Sequence, residues 1–219
     1  MKTTKLLLSG LLATVFALGG CSTTTTSQSQ YSGFLSSYEG LSAAKTTSGD
    51  SVLRWADPDF NVANYTQVIY QPIRFYPEPH SSERINQQTL QELLDYTNDR
   101  VSTALFSRLK PASIGAGPGT LAFRGAITGV DASTQGLKPY EVIPVALVVA
   151  GAMAASGGRS QNSELYLEAE LVDTSTGKPL LRVVRKGLGK TLDNDKQVLT
   201  ANDFKSVIDN LTRDILSFQ

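Results

Sequence analysis

Apolar positions along this chain fall into stretches of distinct period. Between 164 and 172, Leu165, Leu167, Ala169 and Leu171 alternate with Tyr166, Glu168 and Glu170. A period of two predicts a strand with one face in the core and Glu168 and Glu170 on a wet face. Asp173-Thr174-Ser175-Thr176-Gly177 has turn chemistry, so 180–184 is expected to return as a hairpin partner. The stretch 66–76 (TQVIYQPIRFY) is apolar on both faces and predicts a buried strand, with Pro72 restricting it to a bulge or an edge. A further strand is expected over 120–130, where Leu121 and Phe123 alternate with Ala122 and Arg124.

Helical periods occupy other regions. Leu90, Leu94, Val101, Leu105 and Leu109 recur at spacings of four and seven, with Leu93 and Thr97 beside the stripe. Asn86 is placed to cap this helix, or Thr89 with Glu92 as a capping box; Pro111 and Gly115, Gly117 and Gly119 stop it. A last helix is expected over 201–218, capped by Thr200 with Asp203 three residues on, burying Phe204, Val207, Ile208, Leu211 and Ile215. The segment 31–41 mixes aromatic and polar residues as a strip packed on a domain surface does, and a polar loop then leads to Trp55. Together these elements predict an α+β fold: a two-layer domain with a mixed, largely antiparallel sheet and two long helices on one side.

One stretch departs from both periods. Residues 142–155 (VIPVALVVAGAMAA) are almost wholly apolar, with Pro144 at a first helical position and Ala146, Ala150 and Ala154 four apart. It is too short to span a bilayer. It reads as a buried core helix or as a surface for self-association or bilayer contact.

The start of the chain carries the clearest functional signal. Lys2 and Lys5 precede an apolar run over 6–18, and Leu18-Gly19-Gly20-Cys21 closes it. A charged start, a short apolar middle and small residues at its end are the parts of a secretory signal. The apolar run is short of the ~20 residues of a spanning helix. The last four residues resemble the lipobox of bacterial lipoproteins. That resemblance implies lipid on the Cys21 sulfur, cleavage between Gly20 and Cys21, a diacylglyceryl group and an N-terminal acyl chain. More than one chain is needed for a stable anchor. Ser22 stands where, by analogy with known lipoproteins, aspartate would favour the inner membrane, so the outer membrane, periplasmic face, is expected. Residues 1–20 are thus read as the signal peptide, 21–30 (CSTTTTSQSQ) as lipidated cysteine and flexible tether, and 31–219 as one globular domain.

Composition narrows the partners. The chain has 20 Lys+Arg against 20 Asp+Glu, and losing Lys2 and Lys5 with the leader turns it slightly acidic. No basic surplus exists to neutralise phosphates, so nucleic acid is not expected. A single cysteine rules out an internal disulfide and a cysteine-built zinc site. His80 is the only histidine, followed by Ser81 and Ser82. A periplasmic hydrolase using Ser81 or Ser82 with His80 is the alternative these residues raise, although triad members converge in space rather than in sequence. Residues 113–119 (SIGAGPG) lack the ending of a phosphate loop. No cofactor or metal is expected.

With these residues in view, the mature chain resembles a family of uncharacterised bacterial lipoproteins with a single domain of unknown function. The resemblance rests on YSGFLSSY, WADPDFNVANYTQVIYQPIRFY, RGAITGVDAS, EVIPVALVV and LVDTSTGKPL. It covers nearly the whole chain and supplies no catalytic residues. The order of elements also resembles the small α/β domains of periplasmic envelope-assembly proteins, a likeness of fold only. The function expected is a non-enzymatic accessory or binding domain on a lipid anchor, facing an envelope partner or a second copy through 142–155.

Overall fold

The computed structural model describes residues 25–79, 81–134, 161–194 and 196–218. Cys21, His80 and the 142–155 segment therefore lie outside the described residues.

The described strands form one eight-stranded sheet. β1 (Ser42–Lys45) and β2 (Ser51–Ala56) make a hairpin, and β2 pairs antiparallel with β8 (Pro179–Leu192). β8 pairs with β7 (Gln161–Asp173), and β7 with β6 (Thr120–Thr134), both antiparallel. β3 (Gln67–Tyr70) and β4 (Arg74–Phe75) run parallel to β6, and β5 (Lys110–Pro111) runs parallel to β3 at the edge. The sheet order is β1-β2-β8-β7-β6-β3-β5. The mixed, largely antiparallel two-layer architecture is the one the hydrophobic pattern predicts.

The single strand expected over 66–76 is split. Five residues from Tyr70 to Arg74 oppose four from Phe123 to Ala126, so one extra residue is taken up around Pro72. The backbone freed at this bulge is satisfied by helix α1 (Gln87–Phe106). Asn98 Oδ1 accepts from Ile73 N–H and the Tyr70 hydroxyl at 2.7 Å each, and Nδ2 donates to Ile73 O at 2.9 Å. The N-cap of α1 is Asn86, whose Oδ1 accepts from Thr89 N–H at 2.8 Å. The helix stops at Phe106, so Leu109 leaves the helical stripe, yet it stays buried.

Helix α2 (Lys205–Ser217) follows a 3₁₀ turn at Ala201–Asp203, where Asp203 Oδ2 accepts from Thr200 N–H and Oγ1 at 2.8 Å each. Phe204, Val207 and Ile208 are buried against Leu165 and Leu192 in the core. Both helices lie in this core with the sheet face that carries Leu121, Phe123, Ile127, Leu165 and Leu167. The β1–β2 hairpin replaces the loop expected before Trp55, and β8 extends well past the 180–184 partner.

Candidate functional site: an apolar cavity under the helices

Helix α2 meets the sheet closely at one end only. A Cβ on Gly187 would come within 2.1 Å of Val207 Cγ1, and one on Gly189 within 2.1 Å of Asp203 O. Two side-chain-free residues in β8 thus let the start of α2 sit directly on the strand. Toward the other end of β8 the sheet-facing residues are Arg185, Val183 and Leu181, beside Leu167, Ala169 and Leu171 of β7. Ala169, Leu171, Leu181 and Val183 stay only half-buried there.

The space above them is a cavity of about 520 Å³. Val101 and Leu105 of α1, Leu211 and Ile215 of α2, and Phe123 and Leu171 of the sheet line it. Arg185 supports its wall: the guanidinium is buried and pairs with both Asp50, just before β2, and Asp214 of α2. Burial pushes the Asp214 carboxyl up, but the hydrogen bond from Ser48 N–H and, after it, the Arg185 guanidinium hold it below the usual range. The exposed lining residues Lys45, Thr47, Ala63 and Arg108 mark the mouth. Phe218 also lines the cavity, its ring 6.2 Å from that of Phe60 and under the Arg54 guanidinium at 5.9 Å.

A dry, sealed void of this size would cost on the order of 10 kcal/mol, comparable to the whole stability of a domain. An opening at Lys45 and Arg108 removes that requirement, because solvent or a ligand can fill the space. Its volume and apolar walls are those of small-molecule sites.

The opposite sheet face corrects the sequence expectation. Glu168 and Glu170, expected on a wet face, are 1% and 3% exposed. Residues 25–41 cover them as a strap. Ser32 N–H donates to Glu168 at 3.0 Å and the Tyr38 hydroxyl donates to the same carboxylate; Ser36 Oγ donates to Glu170 at 2.8 Å. Arg124 pairs with Glu170, and Arg182 donates to Ser37 O at 2.8 Å while stacking on Trp55 at 4.0 Å. Glu164 is also buried, paired with Lys186 at 2.9 Å and accepting from the Tyr166 hydroxyl at 2.7 Å. Burial pushes the Tyr166 hydroxyl far up, and the Glu164 charge reinforces it. Each carboxylate has its partners, while Arg182 Nε and Thr26 Oγ1 in the same layer are buried without a hydrogen-bond partner among the described residues. The strap begins upstream of Tyr31: Thr26 is buried and Gln28–Gln30 forms a 3₁₀ turn, with Gln30 Nε2 donating to Tyr166 at 3.3 Å.

The other residues singled out by sequence are scattered. Ser81 is exposed; Ser82 Oγ accepts from Arg84 and Ile85 N–H at 3.3 and 3.2 Å, closing a turn. Gly20, Cys21 and His80 are outside the described residues, as is 142–155. Among the described residues no group of three or more His, Cys, Asp or Glu is placed to hold a metal ion, and no helix is long and apolar enough to cross a membrane. Sequence reasoning missed the cavity. Its only trace was Val52, Arg54 and Ala56 alternating in a stretch taken for loop.

Residues 30–215 match the model of a protein family described as a protein of unknown function, DUF3313. The chain belongs to this family. It is 43% identical over 218 residues to the uncharacterized lipoprotein YdcL of Escherichia coli (strain K12), covering all of this chain and 98% of that protein; the Escherichia coli O157:H7 protein matches equally. The resemblance to an uncharacterised lipoprotein family with one domain of unknown function is therefore correct, and lipoprotein character with a lipid-held place at a membrane follows from it. Among solved structures, XCC0632 from Xanthomonas campestris, of family DUF330, aligns over 81% of this chain and 91% of its own, with 11% identity and a TM-score of 0.42. The PelC dodecamer from Paraburkholderia phytofirmans aligns over 77% and 98%, with 10% identity and a TM-score of 0.34.

Proposed function

We propose that this protein is an envelope lipoprotein whose domain binds an apolar ligand without turning it over. The observation that carries the reading is the cavity of about 520 Å³ between sheet and helices, with apolar walls and an open mouth. The lipoprotein relatives support attachment to a membrane. In this reading Cys21 bears the lipid after cleavage behind Gly20, and the domain faces the periplasm from the outer membrane. Residues 21–24 would tether a strap already packed from Thr26 onward. The 142–155 segment is reserved for a second copy or an envelope partner, an assignment that rests on its sequence alone.

A neutral, environment-sensitive probe such as N-phenyl-1-naphthylamine tests the binding role. The mature chain with Cys21→Ser, free of its own lipid, is expected to bind it with enhanced fluorescence. Val183→Trp, which fills the cavity from the β8 wall, is expected to lose the signal while keeping its circular dichroism. Equal binding by a folded Val183→Trp protein would place the ligand elsewhere and sink the reading.

A further inference from the structure

We infer that the cavity selects a single-chain amphiphile with an anionic head, a fatty acid being its simplest form; this rests on the cavity being the binding site. Two independent features of the site lead there.

The first is charge at the mouth. Lys45, Arg54 and Arg108 all line the cavity, and among the described residues none lies within ion-pair distance of a carboxylate. The acidic lining residue on α2, Asp214, is consumed by Arg185. Lys45 Nζ donates to Ser51 Oγ at 2.8 Å and to Gly49 O at 3.3 Å, which leaves one donor, and Arg108 donates one bond to Ile215 O at 2.7 Å and retains several. The Arg54 guanidinium has no hydrogen-bond acceptor among the described residues and rests on the Phe218 ring. An Arg fork presents paired donors to a carboxylate or phosphate oxygen pair. Three cations around the rim of an apolar cavity match a ligand whose one polar end is an anion.

The second is volume. A cavity of about 520 Å³ lies within the range of sites that enclose one drug-sized ligand. One acyl chain of about 12 to 16 carbons fits. A diacyl phospholipid carries twice that chain and a larger head, so a single chain is the better match. Burying each methylene should tighten binding about fourfold until the cavity is full.

The experiment is displacement of N-phenyl-1-naphthylamine from the mature Cys21→Ser chain by dodecanoate and by dodecanol, below their aggregation limits. The expected result is displacement by both, with dodecanoate the stronger at low salt and its advantage lost in 0.5 M NaCl. Arg54→Gln and Arg108→Gln should each weaken dodecanoate roughly two- to fivefold and leave dodecanol unchanged. Equal potency of acid and alcohol, or equal losses for both in the arginine variants, would overturn the anionic head while leaving an apolar-ligand site standing. Probe binding that neither amphiphile displaces would overturn the chain-shaped ligand. Failure of the probe itself to bind would defeat the wider reading instead. Both glutamine variants alter exposed or half-buried lining positions, so folding is expected to be retained, which circular dichroism checks.

Discussion

Asp131 stands opposite Glu164 across β6 and β7, a like-charged pair at the edge of the strap-covered layer. Burial pushes its carboxyl up to about 6; the Ala132 N–H opposes that shift, Glu164 adds to it, and Arg84 and Lys186 work against it. An acid whose folded pKa lies above its unfolded value of about 3.9 binds more protons when folded. Stability from this group is therefore lost as pH rises from about 4 to about 6. Asp131→Asn keeps an acceptor for Ala132 N–H and should be more stable by on the order of 2 kcal/mol at pH 7.5, with little difference at pH 4. Urea melts at the two values check this, and an unchanged midpoint at pH 7.5 would show the carboxylate to be well solvated. Asp173 is the reverse case. Hydrogen bonds from Ser175, Tyr65 and Thr176 hold it well below the usual range, so its contribution is present above about pH 4 and lost in acid. Glu170 shows why burial could not be read from residue type. Removing its partner by Arg124→Ala leaves a buried carboxylate with only Ser36, an expected cost of about 2–4 kcal/mol. Adding Glu170→Gln should recover much of that loss in thermal melts; full additivity would mean the pair is not coupled.

At the scale of elements, long periodic stretches were legible and breaks in them were not. The α1 stripe, the α2 stripe and the apolar face of the β7 alternation emerged where the period predicts, and of the two caps open for α1 the helix uses Asn86. Pro72 announced a bulge or edge, but its repair by Asn98 depends on a helix beginning fifteen residues after it. Asn98→Ala strands the Ile73 N–H and C=O and should cost about 2–3 kcal/mol in urea unfolding, with unchanged dependence on denaturant. A loss below about 0.5 kcal/mol would show that water replaces the amide. The β1–β2 hairpin went unread because its strands are short and flanked by Gly and Ser, so no alternation long enough to weigh appears. Gly189 carried no signal either. Its role comes from the carbonyl of Asp203 overhead, and Gly189→Ala should lift the start of α2 at a cost of about 3 kcal/mol.

For the whole molecule, the proposed lipid anchor and the proposed ligand cavity each carry a test. Cys21→Ser is expected to shift the protein from the membrane to the soluble periplasmic fraction on cell fractionation. Retention in the membrane pellet would separate anchoring from that sulfur. Phe218 lines the cavity under the Arg54 guanidinium, beyond the last helical residue, so Phe218→Ala is expected to widen access there and speed probe entry and exit while affecting affinity less, as stopped-flow fluorescence would record.

The sequence by itself determined the resemblance to an uncharacterised lipoprotein family, the α+β class, the helical stripes and the apolar face of β7, since each depends on neighbours or on a short repeat. Only the tertiary structure decided that the acidic face of β7 is covered, because its partners lie more than 130 residues earlier in the chain. It alone made the cavity. Empty space arises from how far two helices tilt from a sheet, and no residue encodes that alone. Three cations from β1, β2 and the end of α1 share one mouth because strand order and helix length bring them there.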